Sequence, residues 1–406
     1  MTHQKSLSSP DTTTWHQATR LLHAEVERTT HQETSEPLFL TSGFVYESAE
    51  QAAATFRNEI IRYQYSRFGN PTIASLERKL ADLEGAEACI ATSTGMGAVF
   101  CALFSHVKAG DRVVASRALF GSCHWIVAEL LPRYGIESVL VNGTDLSEWE
   151  RALAQPTAAV LLESPSNPML DILDISAIAS LAHRAGALVM VDNVFATPIY
   201  QKPLELGADV VIYSCTKHID GQGRVLGGAI LGPAEWITST LQPFTRNTGN
   251  TISPFNAWVM IKGLETLSLR VDAMTRNAAT LADYLAEAQG VLSVRYPGRA
   301  DHPQHALAMR QMSGYSTLLA FEVHSGQKGA FAFMNALKLI AISNNLGDAR
   351  SLVTHPATTT HAKISDQERA ELGITEGTIR FSVGLEDYRD LITDLNRGLE
   401  ALFSLT

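Results

Sequence analysis

Short apolar runs alternate with amphipathic stretches through the first half of the chain. Seven runs rich in aliphatic and β-branched residues lie between about residue 86 and residue 232, at 86–92, 111–116, 138–142, 158–163, 187–192, 209–215 and 227–231. They are continuously apolar rather than alternating, which is typical of strands buried on both faces. The pattern therefore predicts seven strands in one sheet that is covered on both sides.

The segments between these runs carry apolar residues at helical spacing. One of them places Ile73, Leu76, Leu80 and Leu83 on one face and stops at Gly85, and glycine is a common helix terminator. Strands that alternate with helices indicate parallel strands joined by crossover helices. We predict a mostly parallel α/β layer that forms one large domain.

The pattern changes after Gly232. A long helical stretch is predicted from about residue 256 to 289, and strand candidates follow at 292–296, 316–323 and 378–383 among helices. These features predict a smaller α+β domain.

Residues from about 30 to 72 are rich in aromatic side chains but show little periodicity. An extended aromatic segment of this kind is more often an interface or a lid than a domain. We predict three regions: an N-terminal arm (1–67), a large domain (68–262) and a C-terminal α+β domain (263–406).

Composition narrows the classes of function. The chain has 406 residues, of which 45% are hydrophobic and 18% charged, and its net charge is −10. It is too apolar for disorder and large enough for a sizeable core. An acidic chain without a Lys/Arg-rich run is not expected to bind nucleic acid. No apolar stretch approaches the roughly 20 residues of a bilayer helix, so no membrane partner is expected.

The cysteines and the N-terminus indicate a reducing compartment. The four cysteines, Cys89, Cys101, Cys123 and Cys215, lie far apart and form no Cys-x-x-Cys pair, which argues against a disulfide framework or a zinc site. The first fourteen residues lack the apolar core of a secretory signal. We expect a cytoplasmic protein.

Candidate chemistry lies where the predicted strands end, because ligands of open α/β sheets bind beyond the carboxyl ends of the strands. The first strand leads into a turn with Gly95 at the start of a helix, where backbone amides can hold a phosphate. The fifth strand ends at Asp192, and Lys217 follows the sixth between the hydroxyls of Ser214 and Thr216. An anion site, a carboxylate and a desolvated amine on one rim are what pyridoxal phosphate needs.

Simpler interpretations of these residues stay open. A glycine turn often only connects a strand to a helix, Asp192 could cap the next element, and most lysines are solvated surface charges. The pairs His302/His305 and His355/His361 suggest a metal site, but they lie in loop-like sequence without nearby carboxylates, so capping or solvated histidines are favoured.

At these residues the chain resembles the pyridoxal-phosphate enzymes of cysteine and methionine metabolism, the cystathionine γ-synthase family. The resemblance covers about residues 18 to 403 and rests on motifs in family order: Tyr65-Ser66-Arg67 with Gly69-Asn70-Pro71-Thr72, Ser164-Pro165-Ser166-Asn167-Pro168, Val191-Asp192-Asn193, Ser214-Cys215-Thr216-Lys217-His218, Ser253-Pro254-Phe255 and Arg380-Phe381-Ser382-Val383-Gly384. It implies the fold of aspartate aminotransferase-like, fold type I transferases.

The resemblance also implies how the cofactor, pyridoxal 5'-phosphate, is held. Lys217 is expected to bind its aldehyde covalently and then to shuttle protons, while Asp192 holds the charged ring nitrogen. Phe120 is expected to stack on the ring, and Asn167 to lie near the ring hydroxyl or to serve only the turn before Pro168. The phosphate is expected to contact residues of one subunit and two from its neighbour: Gly95, Met96, Ser214 and Thr216, with Tyr65 and Arg67 of the neighbouring subunit. The arm would then contact a second subunit of a homo-oligomer, a tetramer built from dimers. An ordinary interface role for Tyr65 and Arg67 stays open.

Substrate contacts are implied in the same way. Arg380 is expected to bind the α-carboxylate through two hydrogen bonds, with a structural ion pair as the alternative. Asn345, where many relatives have serine, and Tyr46 are candidates for the same cavity. Arg224 is a hypothesis for the distal carboxylate of an acyl group, with a surface ion pair as the alternative.

Phe120 bears on the choice of reaction. Many relatives carry tyrosine there, whose hydroxyl can protonate a departing sulfur, and a thiol with a pKa near 8.5 needs that help more than a carboxylate with a pKa near 4. The resemblance is greatest to members that add sulfide to acylated homoserine, notably in Leu119-Phe120-Gly121-Ser122, residues 217–228, Asn345-Leu346-Gly347-Asp348 and 355–361. We expect γ-replacement that converts O-succinylhomoserine and hydrosulfide to homocysteine and succinate.

Several alternatives remain at this point. A cystathionine γ-synthase or a methionine γ-lyase could use the same scaffold, and Phe120 could be a packing change only. From a different class, a noncatalytic nucleotide-binding protein could share this α/β layer.

Overall fold

The computed structural model of the protein describes residues 14–24 and 28–405. A central sheet occupies the middle of the chain, with strands β1 Ala88–Thr92, β2 Arg112–Ser116, β3 Glu137–Val141, β4 Ala159–Glu163, β5 Leu188–Asp192, β6 Val210–Tyr213 and β7 Gly228–Gly232. Their order is β1-β7-β6-β5-β4-β2-β3. Only β7 runs antiparallel to its neighbours, β1 and β6. The predicted seven-stranded, mostly parallel sheet is confirmed.

Helices alternate with the strands throughout the described chain. In chain order they are α1 Gln17–His23, α2 Ala49–Phe56, α3 Pro71–Glu84, α4 Gly95–His106, α5 Gly121–Trp125, α6 Leu131–Arg133, α7 Leu146–Ala152, α8 Ile175–Arg184, α9 Thr197–Tyr200, α10 Ala234–Trp236, α11 Gln242–Thr248, α12 Pro254–Leu264, α13 Leu267–Glu287, α14 His305–Gln311, α15 Gly326–Ala336, α16 Asp366–Glu371 and α17 Tyr388–Phe403. The π-helical segments Ile126–Leu130 and Ile237–Leu241 join α5 to α6 and α10 to α11.

Helix α3 shows how local sequence sets the boundaries of an element. The side chain of Asn70 accepts a hydrogen bond of 2.9 Å from the amide of Thr72, and Pro71 occupies the first turn, where no amide donor is needed. The helix ends at Gly85, whose φ of +83° is left-handed and strongly favours glycine. The predicted helix and its stop are confirmed.

Both faces of the central sheet are buried, as the continuous apolar runs predicted. Val113 packs in the cluster that contains residues of α4, whereas its neighbour Val114 packs in the cluster that contains residues of α7 and α8. Successive side chains of a strand point to opposite faces. A run that is apolar at every position therefore needs a helical layer on each side.

A second sheet lies in the last third of the chain. Its strands are β8 Val291–Arg295, β9 Leu318–Val323, β10 Ala341–Ile342, β11 Leu352–Thr354 and β12 Thr378–Ser382. They follow the order β10-β11-β12-β9-β8, and only the β10–β11 pair is parallel. The three predicted strands are confirmed. Strands β10 and β11 were missed because two or three residues are too few to show a period.

The helical stretch predicted from 256 to 289 is two helices. It is interrupted at Glu265 and Thr266, between α12 and α13. The division into arm, large domain and C-terminal domain stays a prediction. Among the described helices, none is both long and apolar enough to cross a bilayer.

Candidate active site

A cavity of about 1100 Å³ opens at the carboxyl ends of β4, β5 and β6. Because these strands are parallel neighbours, the residues that end them meet at one edge of the sheet. The cavity brings together ten of the predicted site residues: Gly95, Met96, Phe120, Asn167, Asp192, Ser214, Thr216, Lys217, Asn345 and Arg380. Sequence positions up to 285 apart thus form one site.

Lys217 lies just beyond β6. Its ammonium nitrogen donates a hydrogen bond of 2.7 Å to Asn345 Oδ1, which holds the side chain in the cavity. Burial, with the nearby charge of Arg380, lowers the pKa of Lys217 to about 8. A large fraction of the amine is therefore neutral just above physiological pH, as a nucleophile or a proton acceptor requires.

Asp192 ends β5 on the same rim. Its carboxylate accepts a hydrogen bond of 3.1 Å from the amide of Val194. Burial raises the pKa of Asp192 to about 6, against the opposing effects of that amide and of Lys217. A buried carboxylate with spare acceptor capacity can hold a cationic ring nitrogen, because that partner compensates its desolvation.

Glu163 is a site residue that the sequence analysis missed. It ends β4, is the register partner of Asp192, and accepts a hydrogen bond of 2.7 Å from the amide of Phe120. Burial, and next the negative charge of Asp192, raise the pKa of Glu163 well above its usual range. We assign it as the protonated member of the pair. The rule that located Asp192, a carboxylate at the end of an apolar run, would have located Glu163.

The first amides of α4 form an anion site with the β6–Lys217 segment. Thr94 caps the helix by accepting a 2.9 Å hydrogen bond from the amide of Gly97, which leaves the amides of Gly95 and Met96 without an intrahelical acceptor. A Cβ at Gly95 would lie 2.7 Å from Ser214 Oγ. Glycine is therefore required for this hydroxyl to lie beside the helix N-terminus, and a phosphate fits such a set of donors.

Thr216 has a different local role. Its hydroxyl accepts a 3.1 Å hydrogen bond from the amide of Gly227 and donates one of 3.2 Å to the carbonyl of the same residue. These two hydrogen bonds connect the segment after β6 to Gly227, the residue directly before β7.

Arg380 enters the cavity from β12 of the second sheet. It donates hydrogen bonds of 3.0 Å to Asn167 Oδ1 and 2.9 Å to the carbonyl of Asn344. Its Nε is buried without an acceptor in the described chain. An unsatisfied buried guanidinium N–H is a donor for a carboxylate ligand. Asn167 supports this arginine through its Oδ1, and its place near a ring hydroxyl stays a prediction.

Phe120 lies in the cavity wall directly before α5. Its ring is partly buried and packs on the apolar cluster beneath the sheet edge. The face that remains accessible is apolar and carries no hydroxyl.

Four of the predicted site residues do not line this cavity in the described chain. Tyr46 lies under Arg62, whose guanidinium carbon is 4.9 Å from the ring centroid. Tyr65 is 46% exposed, and Arg67 donates to the carbonyl of Arg246. All of these contacts lie within or beside the arm.

Arg224 is the fourth. Its Nε donates a hydrogen bond of 2.9 Å to the buried carboxylate of Asp220, and its backbone amide donates one of 2.7 Å to the same group. This is the ion pair that the sequence left open as the alternative. The structure gives Arg224 no place in the cavity.

The histidine pairs do not form a metal cluster. In the part of the chain that the structure describes, no group of three or more His, Cys, Asp or Glu side chains is arranged to hold a metal ion. The ring of His355 contacts the hydroxyl of Thr358 and the carbonyl of Glu376. All four cysteines are free and buried.

Comparison with known proteins gives matches over nearly the whole chain. The sequence model of the Cys/Met metabolism PLP-dependent enzyme family matches residues 18–400. An O-succinylhomoserine sulfhydrylase of Mycobacterium tuberculosis is 52% identical over 94% of this chain and 95% of its own length. One from Pseudomonas aeruginosa is 44% identical over 95% of each. The crystal structure of a cystathionine gamma synthase from Xanthomonas oryzae is 35% identical, with a TM-score of 0.91 over 96% of this chain and 99% of its own.

Proposed function

The chain belongs to the Cys/Met metabolism PLP-dependent enzyme family, and we propose that it converts O-succinylhomoserine and hydrosulfide to homocysteine and succinate. The reaction replaces the acyl-oxygen substituent on the γ-carbon by sulfur. One observation carries the proposal. A single cavity joins an amine of lowered pKa, a buried carboxylate and an arginine with an unsatisfied N–H. The names of the M. tuberculosis and P. aeruginosa relatives support the choice of substrates.

The cavity residues fit pyridoxal 5'-phosphate. Lys217 would bind the aldehyde, Asp192 the ring nitrogen and Phe120 the face of the ring. The amides of Gly95 and Met96, with the hydroxyl of Ser214, would hold the phosphate, and the absence of a side chain at Gly95 lets that hydroxyl lie beside the helix N-terminus. Thr216, whose hydroxyl is bonded to Gly227, would fix the backbone next to them. When bound, this cofactor withdraws electrons from the α-carbon of an amino acid.

Arg380 and Asn345 position the substrate and the amine. Arg380 would bind the α-carboxylate through its unsatisfied Nε, while Asn167 and the carbonyl of Asn344 keep its plane fixed. Asn345 holds the nitrogen of Lys217 by a 2.7 Å hydrogen bond. Lys217, with a pKa of about 8, can accept and return a proton at neutral pH.

Phe120 supports a carboxylate as the leaving group. It lines the cavity but has no proton to give. A carboxylate with a pKa near 4 departs without protonation, whereas a thiol with a pKa near 8.5 benefits from a donor. The absence of a proton donor at Phe120 therefore favours an ester of homoserine over a thioether as the substrate.

We also propose that the arm completes the site of a neighbouring subunit, in a tetramer built from dimers. Tyr65 and Arg67 would reach the neighbour's phosphate site, and Tyr46 its substrate. The arm carries large apolar side chains that the described chain leaves exposed, including Val45 at 88% and Ile61 at 98%. Exposed apolar patches of this kind mark protein–protein contacts. The free cysteines support a cytoplasmic location.

Cystathionine formation is the second candidate, because the Xanthomonas oryzae neighbour is a cystathionine gamma synthase. The experiment offers purified, cofactor-loaded enzyme O-succinylhomoserine with hydrosulfide, cysteine or water, and compares the initial rates. We expect homocysteine to form fastest. Faster formation of cystathionine would favour the second candidate, and faster formation of a keto acid would identify a lyase.

A further inference from the structure

The cavity has an outer half that the reaction centre does not explain. Its volume, about 1100 Å³, is above the roughly 300–1,000 Å³ of ordinary ligand pockets. The outer wall consists of residues 121–129 on one side and 359–368 on the other. None of these positions was a predicted site residue.

Charged groups in this outer wall are few, and most of them are already engaged. Glu368 accepts two hydrogen bonds of 2.8 Å from the amide and hydroxyl of Ser365. Glu129 lies 3.7 Å from the guanidinium of Arg133. Both carboxylates are thus committed to partners on their own segments.

The cationic side of the wall contains His124 and Lys363. Burial lowers the pKa of His124, so that its ring is neutral at physiological pH. Behind it, Arg117 lies 3.1 Å from Glu371 and is committed to that ion pair. Lys363 lines the cavity, and no carboxylate of the described chain lies within 4 Å of its ammonium group.

Lys363 is the cation that the inner site does not use. Three lysine or arginine side chains line the cavity: Lys217, Arg380 and Lys363. Lys217 is bonded to Asn345, and Arg380 to Asn167 and Asn344. Lys217 supplies the reactive amine, and Arg380 would bind the α-carboxylate. A substrate with a second carboxylate would be bound more tightly by one more cation, farther out.

We propose that Lys363 binds the distal carboxylate of the succinyl group. The outer half of the cavity is then an anion subsite that distinguishes dicarboxylic acyl esters from acetyl esters. This inference rests on the proposed function, since it names the group that selects the acyl chain of that substrate. It replaces Arg224, which is held by Asp220.

The local fold holds Lys363 at the rim. Two residues later Ser365 caps α16 in a reciprocal capping box with Glu368, and the carbonyl of Ile364 accepts a 3.0 Å hydrogen bond from Arg369. The backbone next to Lys363 is thereby anchored, while its long side chain can adjust to an incoming carboxylate. The acetyl ester has no group for it to bind.

The first test compares esters. Cofactor-loaded wild type, Lys363→Met, Lys363→Arg and the matched surface control Lys328→Met are assayed with O-succinyl- and O-acetylhomoserine at saturating hydrosulfide. For Lys363→Met we expect kcat/KM to fall about fivefold with the succinyl ester and less than twofold with the acetyl ester, because an exposed charge pair contributes modestly. Lys363→Arg should stay within about threefold with both esters. Equal losses with both esters, or no loss with either, would overturn the inference.

The second test does not depend on turnover. Calorimetry measures binding of succinate, and of butyrate as the monocarboxylate of equal length, to the same loaded proteins. Wild type should bind succinate more tightly, and Lys363→Met should remove the difference. If wild type binds both acids equally, the subsite is not there. If succinate is preferred through Lys363 but neither ester is converted, the proposed function fails while the anion subsite stands.

Discussion

The predicted site residues at the strand ends and those of the arm are placed differently in the described chain. Asp192 and Lys217 lie in the cavity of their own chain, buried and fixed by hydrogen bonds. Tyr46, Tyr65 and Arg67 of the arm lie outside that cavity. Tyr46 packs under Arg62 of the arm, whereas Arg67 contacts Phe68 and the carbonyl of Arg246. A parallel sheet positions the first set, because its strands end at a common edge. In the assembly that we propose, the second set would reach a site only in a neighbouring subunit.

The two regions also differ in how their apolar surface is covered. The sheet buries its apolar residues on both faces, whereas the arm leaves Val45 and Ile61 in solvent. Burying one such side chain stabilises a protein by about 1.5–3 kcal/mol. Association would therefore stabilise an arm that carries several of them, in keeping with the assembly that we propose.

Removing the amine should have the largest effect. Lys217→Ala leaves no side chain that can bond to the cofactor aldehyde, so we expect activity to fall by at least about 10³-fold. Mass spectrometry after borohydride reduction should find the added cofactor mass on Lys217 in wild type and on no residue in the variant. Lys108→Ala, which changes an exposed lysine, is the matched control. Label on another side chain would contradict the assignment.

Mixing variants tests whether one active site takes Lys217 from one subunit and Arg67 from its neighbour. Arg67→Ala should lower activity roughly 10–100-fold, because a charged hydrogen bond to the phosphate is lost. When Arg67→Ala is co-expressed with Lys217→Ala, half of the dimers should be mixed, and each mixed dimer should have one intact site of its two. About one quarter of all sites are then intact, so activity should return to about one quarter of the wild-type value. Mixtures no more active than Arg67→Ala alone would place Arg67 outside the partner's site.

The pH dependence of cofactor loading concerns the strand-end region alone. Only the neutral amine reacts, and the pKa of Lys217 is lowered to about 8. The loading rate of cofactor-free enzyme should therefore rise about tenfold between pH 7 and pH 9 and then level off. Arg67→Ala should slow loading without moving the midpoint. A rate that still rises steeply above pH 9 would indicate an ordinary lysine.

Glu163 gives the smallest predicted effect and tests the protonation state of the strand-end pair. Its pKa is raised by burial and by Asp192, so Glu163→Gln should reproduce the neutral acid and change kcat/KM less than about threefold. Glu163→Ala leaves the amide of Phe120 without its acceptor, and we expect about a tenfold loss. The absorbance of the bound cofactor is measured for both variants. A shifted absorbance maximum indicates an altered ring environment, whereas a weaker absorbance at the same maximum indicates a loss of folded protein. A glutamine variant as damaged as the alanine variant would show that the charge is needed.

The sequence by itself determined the sheet and the residues at its edge. Continuous apolar runs predicted seven strands, and the strand-end rule located Asp192 and Lys217, because both signals are local and the parallel topology makes their ends converge. The same rule applied to Glu163 would have found the third residue of that edge.

Only the tertiary structure decided the rest. Arg380 is bonded to Asn167, 213 positions away, and the outer wall joins residues 121–129 to 359–368. The tertiary structure also pairs Arg224 with Asp220 rather than with a ligand. No periodicity encodes such contacts. They arise from the packing of the second sheet and its loops against the first, where the direction of a side chain depends on neighbours that are distant in the chain.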